Sequence, residues 1–118
     1  TCRSSQRGSW PPPLALFVAG LTGCIMTQIR AFAKRLKVSL NDLDVETRVV
    51  WDWEAKGRIY ETGPRSFEID VMIDSSDAVE KVVELINAAK KGCFLEQTLG
   101  QANTIRHRMK TPDGWVEV

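Results

Sequence analysis

Histidine is almost missing from this chain: 118 residues contain one, His107. A Ser-His-Asp relay would have to be built on that single ring, and nothing near it in sequence is arranged for the role. Cysteine is sparse as well, with three thiols, Cys2, Cys24 and Cys93. They are too few and too scattered for a disulfide framework, and without a CxxC or HxxxH pair a zinc site would need all of them plus His107. Only 8 Gly and 5 Pro exclude a collagen-like or low-complexity chain, and 43% hydrophobic content excludes a disordered one. The unbroken apolar run over residues 14–26 is short of the roughly 20 residues that cross a bilayer, so it reads as a core helix.

Net charge is lacking too, at +1, but the charges are unevenly placed. Residues 1–40 carry six basic and no acidic side chains, 41–88 twelve acidic and five basic, and 89–118 five basic and three acidic. The long acidic middle argues against a nucleic-acid partner. The length suits one domain with a single core.

Residues 1–9 are polar without a period and Trp10 with Pro11-Pro12-Pro13 punctuates the boundary, so residues 1–11 read as a disordered leader or truncation scar ahead of a domain over 12–118. From Leu14 to Leu36, apolar residues recur at three- and four-residue steps, opened by Pro13. The first half of this helix is apolar all round, which predicts burial on every side. The second half is amphipathic, with Arg30, Lys34, Arg35 and Lys37 to solvent.

Leu43 to Glu54 and Phe67 to Asp74 alternate apolar with charged residues, predicting an antiparallel strand pair around a loop with Gly57 and Gly63-Pro64. Ser75-Ser76-Asp77, with Glu80 three residues after Asp77, predicts a capping box on a second helix. Its predicted stripe is Val79, Val82, Val83, Ile86 and Ala89, and Lys90-Lys91-Gly92 is a stop with Gly92 in the left-handed conformation. Then come the short apolar stretch from Cys93, a strand over 104–109, and a turn at Pro112-Asp113-Gly114 into a last strand. The class is α+β, with a long helix on a small antiparallel sheet. Three or four strands cannot cover a helix that is apolar all round, so a partner subunit is expected over residues 14–26.

Cys24 lies mid-helix between Gly20 and Gly23 on one side and the apolar turn Ile25-Met26 on the other. Glycine inside a helix costs about 1 kcal/mol against alanine, so two of them suggest close backbone approach or room for a small ligand. A buried free thiol is also an ordinary small hydrophobe. Cys93 opens a helix beside Lys90 and Lys91, where unpaired N–H groups and positive charge would lower its pKa. Spacing alone does not bring the two thiols together.

The segment PLALFVAGLTGC, residues 13–24, resembles the first cysteine helix of the OsmC/Ohr (osmotically inducible protein C / organic hydroperoxide resistance) family. AAKKGCFLEQTLG, residues 88–100, is similar to the family's second cysteine motif. The resemblance covers about residues 12–110 and implies an intertwined homodimer with central helices between sheets of both subunits. It implies a thiol peroxidase that reduces organic hydroperoxides in bacterial oxidative-stress defence. Cys24 would be the peroxidatic thiolate and Cys93 the resolving one. Glu96, three residues after Cys93, could lie beside that thiol on the short helix as an accessory carboxylate. No bound cofactor or metal is expected; the reductant would be a dithiol of the lipoyl type, and the setting the cytoplasm, away from membranes.

Leu14 stands where the family carries a glutamate ten residues before the first cysteine, Phe94 where it often has proline, and Arg3 and Arg7 match no family arginine. The alternative reading is a non-catalytic dimer that binds a small apolar molecule, with Trp51 and Trp53 as a wall. A minor alternative is a bacterial lipoprotein, cleaved and lipidated at Cys24.

Overall fold

The computed structural model describes residues 12–118. The leader reading of residues 1–11, and Cys2 with it, lies outside the described residues. α1 spans Pro13–Leu36, opened by the extended Pro12, whose carbonyl accepts from the Leu16 N–H at 3.1 Å. It stops at Lys37, the one non-glycine residue with positive φ (56°) among those described, and the Lys37 and Val38 amides both turn back to the Ala33 carbonyl. Lys34 and Arg35 in the last turn favour the negative end of the helix dipole.

β1 (Asp42–Lys56) and β2 (Ile59–Asp74) form a long antiparallel hairpin from Asp42 opposite Asp74 to Lys56 opposite Ile59. The reversal takes two residues, Gly57 and Arg58, with the positive φ (63°) on Gly57, as a type II′ turn requires. Gly63-Pro64 is therefore inside β2 rather than in a loop. The register shifts there, with Val50 opposite Ser66 and Trp51 opposite Pro64, so Arg65 is an extra residue in a bulge. Proline has no N–H to give a ladder, and a bulge is one place a strand tolerates it.

α2 spans Val79–Gly92, α3 Phe94–Leu99, β3 Arg108–Thr111 and β4 Gly114–Glu117. The expected sheet of three or four strands is instead two separate hairpins, β1–β2 and β3–β4. Residues 101–107 form no strand that would join them, and the final pair starts at Arg108 rather than Thr104.

The capping box is also absent. Ala78 is the N-cap of α2 and no side chain caps it. Asp77 is used elsewhere: its Oδ2 accepts the Ser39 N–H at 2.6 Å, and Lys81 lies 3.6 Å from Oδ1. The Ser39 amide, with help from Lys81, holds the Asp77 carboxyl below its ordinary range. Ser39 Oγ adds contacts to Ser75 Oγ (2.8 Å) and the Ser76 amide (2.8 Å), so this turn ties the end of α1 to the start of α2.

The core is one thin seam: Leu21, Ile25, Ile29 and Ala33 of α1, Leu43 and Val45 of β1, Leu85 and Ala89 of α2, with Val38 and Cys93. Of the stripe expected on α2, Ala89 is buried and Val82 and Ile86 are half-buried, while Val79 and Val83 are 73% and 50% exposed. The buried line is Leu85, Ala89 and Cys93, at steps of four. The first half of α1 is not covered all round, with Leu14 and Leu16 51% and 53% exposed. The radius of gyration, 19.2 Å, exceeds the roughly 13 Å of a compact domain this size, because the long hairpin projects from the seam.

Candidate functional site

Cys24 sits midway along α1, next to the fully buried Ile25, and is itself half-buried. The helix runs unbroken through it to Leu36. Two residues earlier, Thr22 Oγ1 donates to Thr47 Oγ1 at 2.8 Å, fixing this part of α1 against β1.

The α2–α3 corner brings Cys93 to the same place. A Cβ on Gly92 would meet Cε2 and Cζ of Phe32 at 2.8 Å and Oε1 of Gln28 at 3.6 Å. Further along the corner, Leu95 Cδ2 comes within 3.7 Å of where a Gly20 Cβ would be. Phe32, Gln28, Cys24 and Gly20 form one line on α1 at steps of four, and residues 92 to 95 descend that line in reverse. Cys93 is thus carried onto the stretch of α1 that holds Cys24, although the two are 69 residues apart in sequence, and Cys24 packs against the buried cluster that includes Cys93. Both are free thiols.

Gly92 therefore has a different reason from the expected one. It remains inside α2 without a positive φ, and its missing side chain is what lets the corner lie on the Phe32 ring. Gly20 and Gly23 show no such need within this chain: one would make an ordinary contact, and the other meets nothing within 4 Å.

Cys93 is the N-cap of α3, and its Sγ accepts the Glu96 N–H at 3.5 Å. The expectation of a lowered pKa does not hold. Burial pushes the Cys93 thiol up, the Glu96 and Leu95 amides pull it down only in part, and Cys24 adds to the rise. Lys90 and Lys91 are exposed and do not offset this. The Glu96 backbone touches Cys93, while its carboxylate belongs to no ion pair among the described residues.

Leu14, ten residues before Cys24, is about 15 Å further up the helix at ~1.5 Å per residue, and it is half-exposed. Arg48 is held by Glu46, Asp70 and Glu68 on the outer face of the hairpin. Arg3 and Arg7 lie outside the described residues. Among the described residues no group of three or more His, Cys, Asp or Glu is placed to hold a metal ion.

Two apolar features lie elsewhere on this framework. Trp51 stands edge-on to Phe17, with centroids 6.0 Å apart, beyond the first turn of α1. Trp53 is 69% exposed and stands edge-on to Tyr60, with centroids 5.8 Å apart. Between β2 and α2 an open groove of about 760 Å³ is lined by Ile69, Val71 and Ile73 facing Val79, Val83 and Ile86, with Lys90 and Glu96 on its lining. Neither cysteine lines it. α1 itself, at 24 residues and with a mean hydropathy of 1.5 over its most apolar 18-residue window, is long and apolar enough to cross a membrane, contrary to the reading from its 14–26 run.

The sequence profile of the OsmC-like protein family matches residues 6–108. No curated protein matches the chain. Among solved structures, an OsmC-like hydroperoxide resistance protein from Jannaschia sp. CCS1 is 70% identical, with a TM-score of 0.89 over 92% of this chain and 72% of its own. An OsmC-like protein from Mycoplasma pneumoniae is 20% identical and shares the fold, with a TM-score of 0.72 over 86% of this chain and 70% of its own. An organic hydroperoxide resistance protein OsmC from Legionella pneumophila is 21% identical, with a TM-score of 0.53 over 79% of this chain and 64% of its own. With a profile matched over most of its length and so near a solved relative, this chain belongs to the OsmC-like protein family.

Proposed function

We propose that this chain is a cysteine-based reductase of organic hydroperoxides, working in oxidative-stress defence. The observation that supports the proposal is that the α2–α3 corner carries Cys93 onto the stretch of α1 holding Cys24, which packs against the same buried cluster and is the more accessible of the two. A peroxide needs an exposed sulfur to attack, and resolution needs a second sulfur within reach. Cys24 is accordingly the peroxidatic residue and Cys93 the resolving one. Glu96 stays a candidate accessory group through its backbone N–H. The hydroperoxide resistance named for the Jannaschia relative supports the same substrate class.

Turnover then requires an external dithiol, of the lipoyl type, and no bound cofactor. A homodimer is proposed to cover the exposed Leu14, Leu16 and Phe17. Two free thiols suit a reducing cytoplasm. The acidic outer face of the hairpin speaks against nucleic acid, and the buried stripe of α1 against a membrane span. The unbroken helix through Cys24 likewise leaves no polar tether for a lipoprotein.

The test is mass spectrometry of the reduced chain after one equivalent of cumene hydroperoxide. A rapid Cys24–Cys93 disulfide, formed faster than with hydrogen peroxide, is the expected result. Two unmodified thiols, or slow oxidation that includes Cys2, would reject the peroxidase. The open groove between β2 and α2 favours a second reading, a non-catalytic module that binds an apolar molecule. That module would keep its ligand affinity in Cys24→Ser, whereas a peroxidase loses turnover.

A further inference from the structure

We infer that the β3–β4 ribbon of one copy lays its apolar face in the β2–α2 groove of a second copy, and that the second copy returns the exchange. This rests on the homodimer proposed above and names the surfaces that meet in it.

The ribbon is a folded element with nothing of its own chain behind it. No other helix or strand packs broadly on β3 or β4, and from Gln101 to Val118 no residue is buried. A lone two-stranded ribbon is marginally stable in water, so it needs a surface to lie on. Its register puts Met109 opposite Val116 on one face, with Arg108 opposite Glu117 and Lys110 opposite Trp115 on the other. The polar face is already satisfied. The Arg108 guanidinium and Lys110 ammonium lie 4.7 Å and 5.4 Å from the centre of the Trp115 ring, and Arg106 pairs with Glu117 at 2.9 Å. The apolar face is not. Val118 extends it, its N–H donating to the His107 carbonyl at 3.1 Å, and Met109, Val116 and Val118 are all exposed, Val116 the least at 45%.

The groove has the complementary defect. Ile69, Val71 and Ile73 of β2 and Val79, Val83 and Ile86 of α2 border about 760 Å³, and no residue after Glu96 lines it. The chain's own ribbon therefore stands off a groove of matching chemistry. Residues 100–107, without helix or strand, reach at most about 27 Å, enough to hand the ribbon to a neighbour.

Charge favours the same meeting. Residues 105–118 carry Arg106, Arg108 and Lys110 against Asp113 and Glu117, while residues 41–88, which build the β1–β2 hairpin and most of α2, carry twelve acidic and five basic side chains. Opposite net charges steer the ribbon of one copy toward the body of the other. Exchange about a two-fold axis makes the contact twice. Covering Met109, Val116, Val118, Val79 and Val83 in both copies removes on the order of 1,000 Å² of surface, about what a specific interface needs.

The experiment prepares Val83→Cys and Met109→Cys chains separately, mixes them and treats them with 1,2-bismaleimidoethane, with linked peptides located by mass. The expected result is a link from residue 83 of one variant to residue 109 of the other, found in the mixture and in neither variant alone. In the double variant that link should join two chains. A link closed within one chain, or no 83–109 link in the mixture, would overturn the exchange. Sedimentation equilibrium supplies a second reading. Met109→Asp should weaken self-association by about tenfold or more, while Glu117→Gln, on the ribbon's other face, should leave it unchanged. The ribbon contributes nothing to the buried seam, so Met109→Asp should keep the wild-type far-UV circular dichroism of the α1–α2 body. An equally tight dimer in Met109→Asp would overturn the exchange and leave the homodimer standing. An unsubstituted chain that stays monomeric would reject both, while the cumene hydroperoxide test above decides the peroxidase reading separately.

Discussion

Leu85→Ala is the substitution that most directly tests how α2 is seated. Leu85 has no exposed surface and lies in line with Ala89 and Cys93. Losing the equivalent of about three methylenes at ~0.8 kcal/mol each removes ~2.4 kcal/mol of transfer energy. The cavity left behind raises the total to about 3–4 kcal/mol. Val83, one of the residues that periodicity alone would have buried, is 50% exposed. Val83→Ala should therefore cost less than about 1 kcal/mol in the isolated chain. In a domain of this size about 1 kcal/mol moves Tm by roughly 4 °C, so the two variants should separate by ~8 °C or more in thermal unfolding. Urea unfolding should show the same order with unchanged m-values. Leu85→Ala should also slow Cys24–Cys93 disulfide formation, because it loosens the element that carries Cys93. Equal costs, or a larger cost at Val83, would refute the assignment of the buried face.

Three further outcomes are expected. The raised pKa of Cys93 means that above its ordinary value of 9.0 the unfolded chain gives up this proton first, so the stability it contributes is intact below that pH and is lost as pH rises past it; Cys93→Ala should flatten the alkaline fall in urea-unfolding stability, and superimposable profiles above pH 9 would contradict this. The lowered pKa of Asp77 has the opposite sense: its contribution is present above the ordinary 3.8 and fades as pH falls through the depressed value, so Asp77→Asn should weaken acid sensitivity and speed hydrogen exchange at the Ser39 amide. Gly23→Ala, with nothing within 4 Å, should stabilise the isolated chain by about 1 kcal/mol through helix propensity, and a loss of stability instead would show that something outside this chain packs there.

Much of the fold was legible because its signals are local. Pro13, the apolar period from Leu14 to Leu36, and the alternation from Leu43 to Trp53 each point to the element that forms. Faces and partners were less legible. The period of α2 allows two adjacent stripes, and only packing on α1 selects Leu85 over Val79 and Val83. Asp77 looked like a cap because the sequence does not show that the Ser39 amide, 38 residues earlier, claims its carboxylate first. Gly92 read as a stop for the same reason, since the approach of Phe32 is tertiary. The steps Leu85, Ala89, Cys93 and Gly20, Cys24, Gln28, Phe32 were the available signals for the approach of the Cys93 corner to this line of α1. They gain meaning only once α2 is known to cross α1. The sign of the Cys93 shift was missed because dipole and lysine arguments are local, while burial is global.

The bulge at Arg65 has a consequence for solubility. A hairpin this long leaves two rows of backbone amides and carbonyls along its edges, which other chains can extend into aggregates. Pro64 removes a donor from the outer half of β2, and the extra residue beside it coils that half away from a flat template. Arg65 and Asp52 form an ion pair across the break, placing both charges where a stacking strand would have to desolvate them. The projecting half of the hairpin is thus shielded from adventitious strand addition by its own irregularity.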